Sequence, residues 1–163
     1  MSNKSVIEAI AVFNAPKCKG TVLICEKPSG IIEFEVNLTN LTPGKHGFHI
    51  HEAGNLAEGC KSCCSHFNPL GANHGGLHDK NHSRHLGDLG NITADKRGNC
   101  RQLISDKSLK LRGSKYNIIG RSIVVHADPD DLGKGNNEES LKTGNAGARI
   151  GCAVIGYKTG YYF

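Results

Sequence analysis

Residues 46–88 read HGFHIHEAGNLAEGCKSCCSHFNPLGANHGGLHDKNHSRHLGD and carry eight of the nine histidines, the ninth being His126. Imidazole is the commonest protein ligand for zinc and copper, so this crowding points first to metal. His49 and His51 stand two apart, and residues i and i+2 project from one face of a β-strand. Phe48 and Ile50 alternate with them and take the opposite, apolar face. The spacing therefore predicts a strand over 45–52 that aims two imidazoles at one ion. His66, His74, His85 and Asp88 follow. One carboxylate with several imidazoles suits tetrahedral zinc. The stretch holds enough ligands for two metals.

Outside this stretch the chain reads as short strands. Residues 5–13 and 19–27 are β-branched and apolar. Residues 30–41 alternate most clearly: Ile32, Phe34, Val36 and Leu38 between Glu33, Glu35 and Asn37, one face buried and one wet. Further strands are predicted around 89–94, 100–106, 121–127 and 149–157, with 108–120 as a connection. Residues 53–87 and 128–148 have neither strand nor helical period, except for a short turn near Asn137–Leu141. Loops this long in a compact domain are suspect unless they carry function. About eight short strands imply an all-β Greek-key barrel or sandwich.

The length of 163 residues suits one domain with a real core. No apolar run approaches membrane-spanning length, and the first residues contain no apolar signal region, so no membrane and a cytoplasmic location are expected. The net charge is +5, but the 20 Lys and Arg are scattered with no run of three, which argues against nucleic acid. Seven cysteines, an odd number, argue against a full disulfide framework. Cys60 and Cys63 form a CxxC that by itself reads as half a zinc site or a redox pair.

Six blocks resemble the copper/zinc superoxide dismutases, in that family's order. They are Gly47-Phe48-His49-Ile50-His51-Glu52, His66-Phe67-Asn68-Pro69, His74-Gly75-Gly76, His85-Leu86-Gly87-Asp88-Leu89-Gly90-Asn91, the run Ile119–Gly135 with Val124-Val125-His126, and Gly144-Asn145-Ala146-Gly147-Ala148-Arg149. The resemblance covers nearly the whole chain. It implies a flattened eight-stranded antiparallel Greek-key β-barrel, an immunoglobulin-like sandwich, over 1–163, with a metal-binding loop at about 53–87 and an electrostatic loop at about 128–148. It implies copper on His49, His51, His66 and His126, and zinc on His66, His74, His85 and Asp88, one ion of each per chain. His66 would bridge the two as an imidazolate, taking up and returning a proton while one superoxide is oxidised to O₂ and the next is reduced to H₂O₂.

The same resemblance makes Asp130 the carboxylate that ties His49 to His74. It pairs Cys60 with Cys152, makes Arg149 the superoxide-binding cation, and lets Glu138, Glu139, Lys142 and Thr143 steer the anion. It implies a homodimer, a copper chaperone as a further partner, and a structural His46. His78 and His82 are expected to face solvent, with zinc ligation as their alternative role. Cys63 and Cys64 depart from the family pattern. The rival reading is a non-catalytic copper/zinc-binding relative, a copper buffer or chaperone-like module; a zinc hydrolase is disfavoured because there is no HExxH.

Overall fold

Alternation decides which face of each strand is buried. In a computed structural model that describes residues 6–160, Ile32, Phe34, Val36 and Leu38 turn inward on β3 (Ile32–Thr39) while Glu35 and Asn37 stay exposed. The same pattern shapes β1 (Ile7–Ala15) and β2 (Cys18–Glu26). Then come β4 (Gly44–His51), β5 (Ala57–Cys60), β6 (Asp88–Ala94), β7 (Cys100–Asp106), β8 (Ser122–His126), β9 (Arg149–Val154) and β10 (Gly156–Tyr157). One sheet runs β10-β1-β2-β3-β7 and the other β6-β4-β8-β9, with antiparallel pairing throughout. The all-β, two-sheet architecture matches the expected fold.

The eight longer strands fall near the stretches expected from β-branched and apolar content, and from alternation in 30–41. The structure adds β5 and splits the strand expected over 149–157 into β9, which pairs with β8, and β10, which crosses to β1 in the other sheet. Loop 53–87, read as without regular structure, contains β5 and 3₁₀ turns at Lys61–Cys63 and Asn81–Ser83. These elements span three or four residues, too few to show a period. The turn expected near Asn137–Leu141 is the one-turn helix α1 (Ser140–Thr143), with Asn137 Oδ1 accepting from Ser140 N at 2.8 Å.

The two sheets close on a single apolar cluster that includes Ile24, Phe34, Leu38, Phe48, Ile50, Ile92 and Ile123. Burial of such side chains is worth about 1.5–3 kcal/mol each and drives the sandwich together. On β4, Phe48 and Ile50 face this core. His49 and His51, on the opposite face, are equally inaccessible at 0 % exposure. The second face is not wet because the long loops fold over it. Cys60 and Cys152 form a disulfide, Cα–Cα 5.5 Å, that ties the end of β5 to β9.

Candidate metal centre

Register builds the site. β8 lies between β4 and β9, opposing Val124 to His49 and Ser122 to His51, and His126 to Arg149. On the other side of β4, His49 stands opposite Asp88 on β6. Register shifts between Gly47 and His49, and between Val125 and His126, re-aim these side chains as bulges beside active sites do. The remaining groups arrive from the loops. His66 forms an isolated bridge with His51, which brings loop 53–87 back across β4.

Two groups of four donors emerge, their ligand atoms within 4.8 Å of one another: His49, His51, His66 and His126, and His49, His66, His74 and Asp88. His49 belongs with the first group, because its Nε2 is taken by Asp130 Oδ2 at 2.7 Å. His85 joins the second: its Nδ1 lies 3.1 Å from Asp88 Oδ1 and 3.2 Å from His66 Nδ1. Asp88 Oδ1 is also 2.9 Å from His66 Nδ1 and 3.0 Å from His74 Nδ1. Its Oδ2 accepts from the backbone N–H groups of Gly75 and His85, so the carboxylate is held with one oxygen turned into the cluster.

The outer ring nitrogens are tethered. His51 Nδ1 donates to Cys64 O at 2.8 Å and His126 Nδ1 to Gly147 O at 3.1 Å. Asp130 spans both groups, with Oδ1 on His74 Nε2 and Oδ2 on His49 Nε2, each at 2.7 Å. Gly144 allows this close approach: at φ +69°, a Cβ there would strike Asp130 Oδ1 and His74 Nε2. The inner nitrogens are left without partners. His49 Nδ1, His51 Nε2, His66 Nε2 and His126 Nε2 are buried and make no hydrogen bond. Buried polar atoms are almost always satisfied, so the four unpaired nitrogens, with His74 Nδ1 meeting only the Asp88 carboxylate, fit metal ions. The all-imidazole quartet suits copper, and three imidazoles with a carboxylate suit zinc.

Electrostatics agree. Burial, reinforced by the neighbouring His66, holds His49 neutral down to a pKa of about 3. Burial likewise lowers His126 to about 4 and depresses His51 and His66. Neutral imidazole is the form that binds metal. Burial also works against charge on His74, but the Asp130 and Asp88 carboxylates outweigh it and raise its pKa to about 9. Asp130 is itself lowered to about 2, its bonds to His49 and His74 overcoming burial.

A cleft of about 910 Å³ opens above the first group, lined by His51, His66, His126, Lys142, Thr143 and Arg149. Arg149 is half-buried there, its Nη1 donating to Cys60 O at 2.8 Å, so the disulfide-bearing turn aims the guanidinium. Glu139 also lines the cleft; Glu138 lies outside the lining and pairs with Lys142 at 2.5 Å. His46 stands apart, between His126 O and Thr42 O at 2.7 Å each, as a cross-link of backbone. His78 and His82 are both exposed and join neither group.

Several supporting residues went unread in the sequence. Arg84, only 2 % exposed, donates to Asp88 O at 2.9 Å and pairs with Asp106, anchoring the loop beside Asp88 to the end of β7. Nothing in a lone Arg beside a histidine signals burial. Asn91 grips the backbone of Asp130 from both sides, Nδ2 to O at 2.9 Å and Oδ1 from N at 2.7 Å. Its place in the His85–Asn91 block was the available signal.

The sequence profile described as copper/zinc superoxide dismutase matches residues 18–155. A superoxide dismutase (Cu-Zn) of Paramecium bursaria Chlorella virus 1 is 59% identical over 152 residues, covering 93% of this chain and 79% of that protein. With the profile spanning most of the chain and a relative this similar across it, the chain belongs to the copper/zinc superoxide dismutase family.

Proposed function

We propose that the protein dismutates superoxide to O₂ and H₂O₂. The observation that carries this reading is the set of orphaned, buried ring nitrogens converging beneath a cleft that also holds Arg149. His49, His51, His66 and His126 would hold copper, and His66, His74, His85 and Asp88 would hold zinc. Copper supplies reversible one-electron chemistry, whereas zinc, which has none, supplies a fixed charge that orders the loop.

The chain's own residues do the rest. Arg149 offers a planar cation to the incoming anion, oriented through Cys60 O. His66 presents Nε2 to one group and Nδ1 to the other. A proton held at Nε2 would therefore lie on the cleft side, available to the product. Asp130 and the backbone carbonyls of Cys64 and Gly147 fix ring orientation and tautomer. Lys142, Thr143 and Glu139 shape the field at the mouth, which governs the rate of encounter more than affinity. From the family resemblance we also propose a cytoplasmic homodimer that can receive copper from a chaperone. Exposed Leu56 and Val154 support the dimer, the latter beside Gly54.

The test is joint: count copper and zinc per chain after loading, and follow superoxide decay directly. One of each with fast decay is expected. Full loading without decay would leave the rival reading of a copper buffer. Sedimentation at micromolar concentration checks the dimer.

A further inference from the structure

Four cations dispersed along residues 107–116 come together around one recess. Lys107, Lys110, Arg112 and Lys115 line an open bay of about 550 Å³ between this loop and the 3₁₀ turn Asn81–Ser83; the bay shares no lining residue with the metal-bearing cleft. No carboxylate among the described residues lines the bay. The acids beneath the loop are already engaged. Glu26 is buried, accepts from Leu111 N at 2.7 Å and pairs with Arg112 at 3.1 Å. Asp106 is buried against Arg84 and accepts from the backbone of Ser108 and Leu109.

The lysines meet neutral partners. Lys110 Nζ donates to Gly30 O at 2.8 Å, and Lys115 Nζ lies 4.9 Å from the Tyr116 ring centroid. Lys107 and Lys115 are exposed. Asn81 accepts from Ser108 through Oδ1 at 2.9 Å, which leaves its amide N–H groups as donors beside the bay. Tyr116 sits at φ 60°, with its carbonyl accepting from Lys110 N at 3.0 Å. A bulky residue rarely adopts this conformation, and such outliers collect at ligand clamps. Glu26 already answers Arg112, so the loop leaves three lysines, met only by neutral groups, around the recess.

We propose that this bay binds a short polyphosphate chain. A single monovalent anion would leave most of the positive charge unanswered, whereas linked phosphates offer several oxygens to several ammonium groups at once. The cations lie within one ten-residue loop, a footprint that matches a small ligand better than a bilayer. The proposal is independent of the dismutase reading.

The experiment titrates the metal-loaded protein with sodium triphosphate at low salt, by calorimetry and by amide chemical shifts. Saturable binding with shifts at 107–116 and at Asn81 is expected, weakening as salt is added. Lys107→Gln with Lys115→Gln should weaken it by about tenfold or more, with superoxide decay, metal content and melting temperature unchanged. ATP serves as a second probe: binding equal to triphosphate assigns recognition to the phosphates alone, and tighter binding adds a nucleoside to the ligand. No saturable binding overturns the proposal. So does binding that survives the double substitution, binding that instead disappears in Arg149→Met, or association with phosphatidylserine vesicles without any triphosphate affinity.

Discussion

The two donor groups are built on different scaffolds. His49, His51 and His126 stand on β4 and β8, neighbours in a sheet whose pairing is set over many residues. His66, His74 and His85 come from loop 53–87, where only short turns and a four-residue strand give order. The charge differs as well. Beside the strand-borne group burial keeps imidazoles neutral, with His49 near 3 and His126 near 4. In the loop-borne group Asp88 contacts three imidazoles, and His74 is raised to about 9. A sheet can hold three neutral rings close together by packing alone. A loop needs a buried carboxylate, and an ion, to hold its rings.

That contrast predicts an asymmetry between two substitutions. His126→Ala should lower superoxide decay by at least about a hundredfold, since even outer partners of metal ligands cost 10–100-fold, while zinc content and the melting temperature stay near normal. Asp88→Asn should instead empty the zinc position and lower the melting temperature, because the loop loses its central acceptor. Metal counts and thermal melts on both variants check this; equal losses of stability would break the comparison.

The disulfide sharpens it next. Cys60 and Cys152 are 92 residues apart, and closing such a loop is worth roughly 4–5 kcal/mol in the chain-entropy view. Cys152→Ser should cost up to about that in chemical denaturation. It should also slow decay by freeing Arg149, whose guanidinium leans on Cys60 O.

Acid should separate the groups in the metal-free protein. His49 and His126 stay neutral when folded and take up protons near 6.5 once unfolded, so their contribution falls as pH drops below 6.5. His74 works oppositely: its stabilisation is full below 6.5 and is lost as pH rises towards 9. The depressed groups, His51 and His66 among them, outweigh the one raised group, so stability at pH 5 should be lower than at pH 7, on the order of a few kcal/mol. Denaturant titrations at the two pH values measure it.

The smallest effect concerns the carboxylate that joins the groups. Asp130→Asn keeps the shape but offers only one acceptor to His49 and His74, and zinc affinity should fall by about 10–100-fold with copper bound nearly as before. Competition with a chromophoric chelator reads both metals.

Much of this was legible in the chain itself. Alternation in Ile32–Leu38 determined a half-buried strand, and His49-x-His51 determined two imidazoles on one face, because a strand's side-chain period is 2 whatever it packs against. Residue types determined the chemistry available: imidazoles, a carboxylate and one guanidinium. Tertiary structure alone decided which nitrogen of each ring is free, since that depends on carbonyls of Cys64 and Gly147 and on Asp130, contributed from elsewhere in the chain. It alone buried Arg84 against Asp106, and it alone gathered Lys107, Lys110, Arg112 and Lys115 around one bay. Local periodicity encodes the direction of a side chain along its own backbone; it carries no information about what distant segment will meet it.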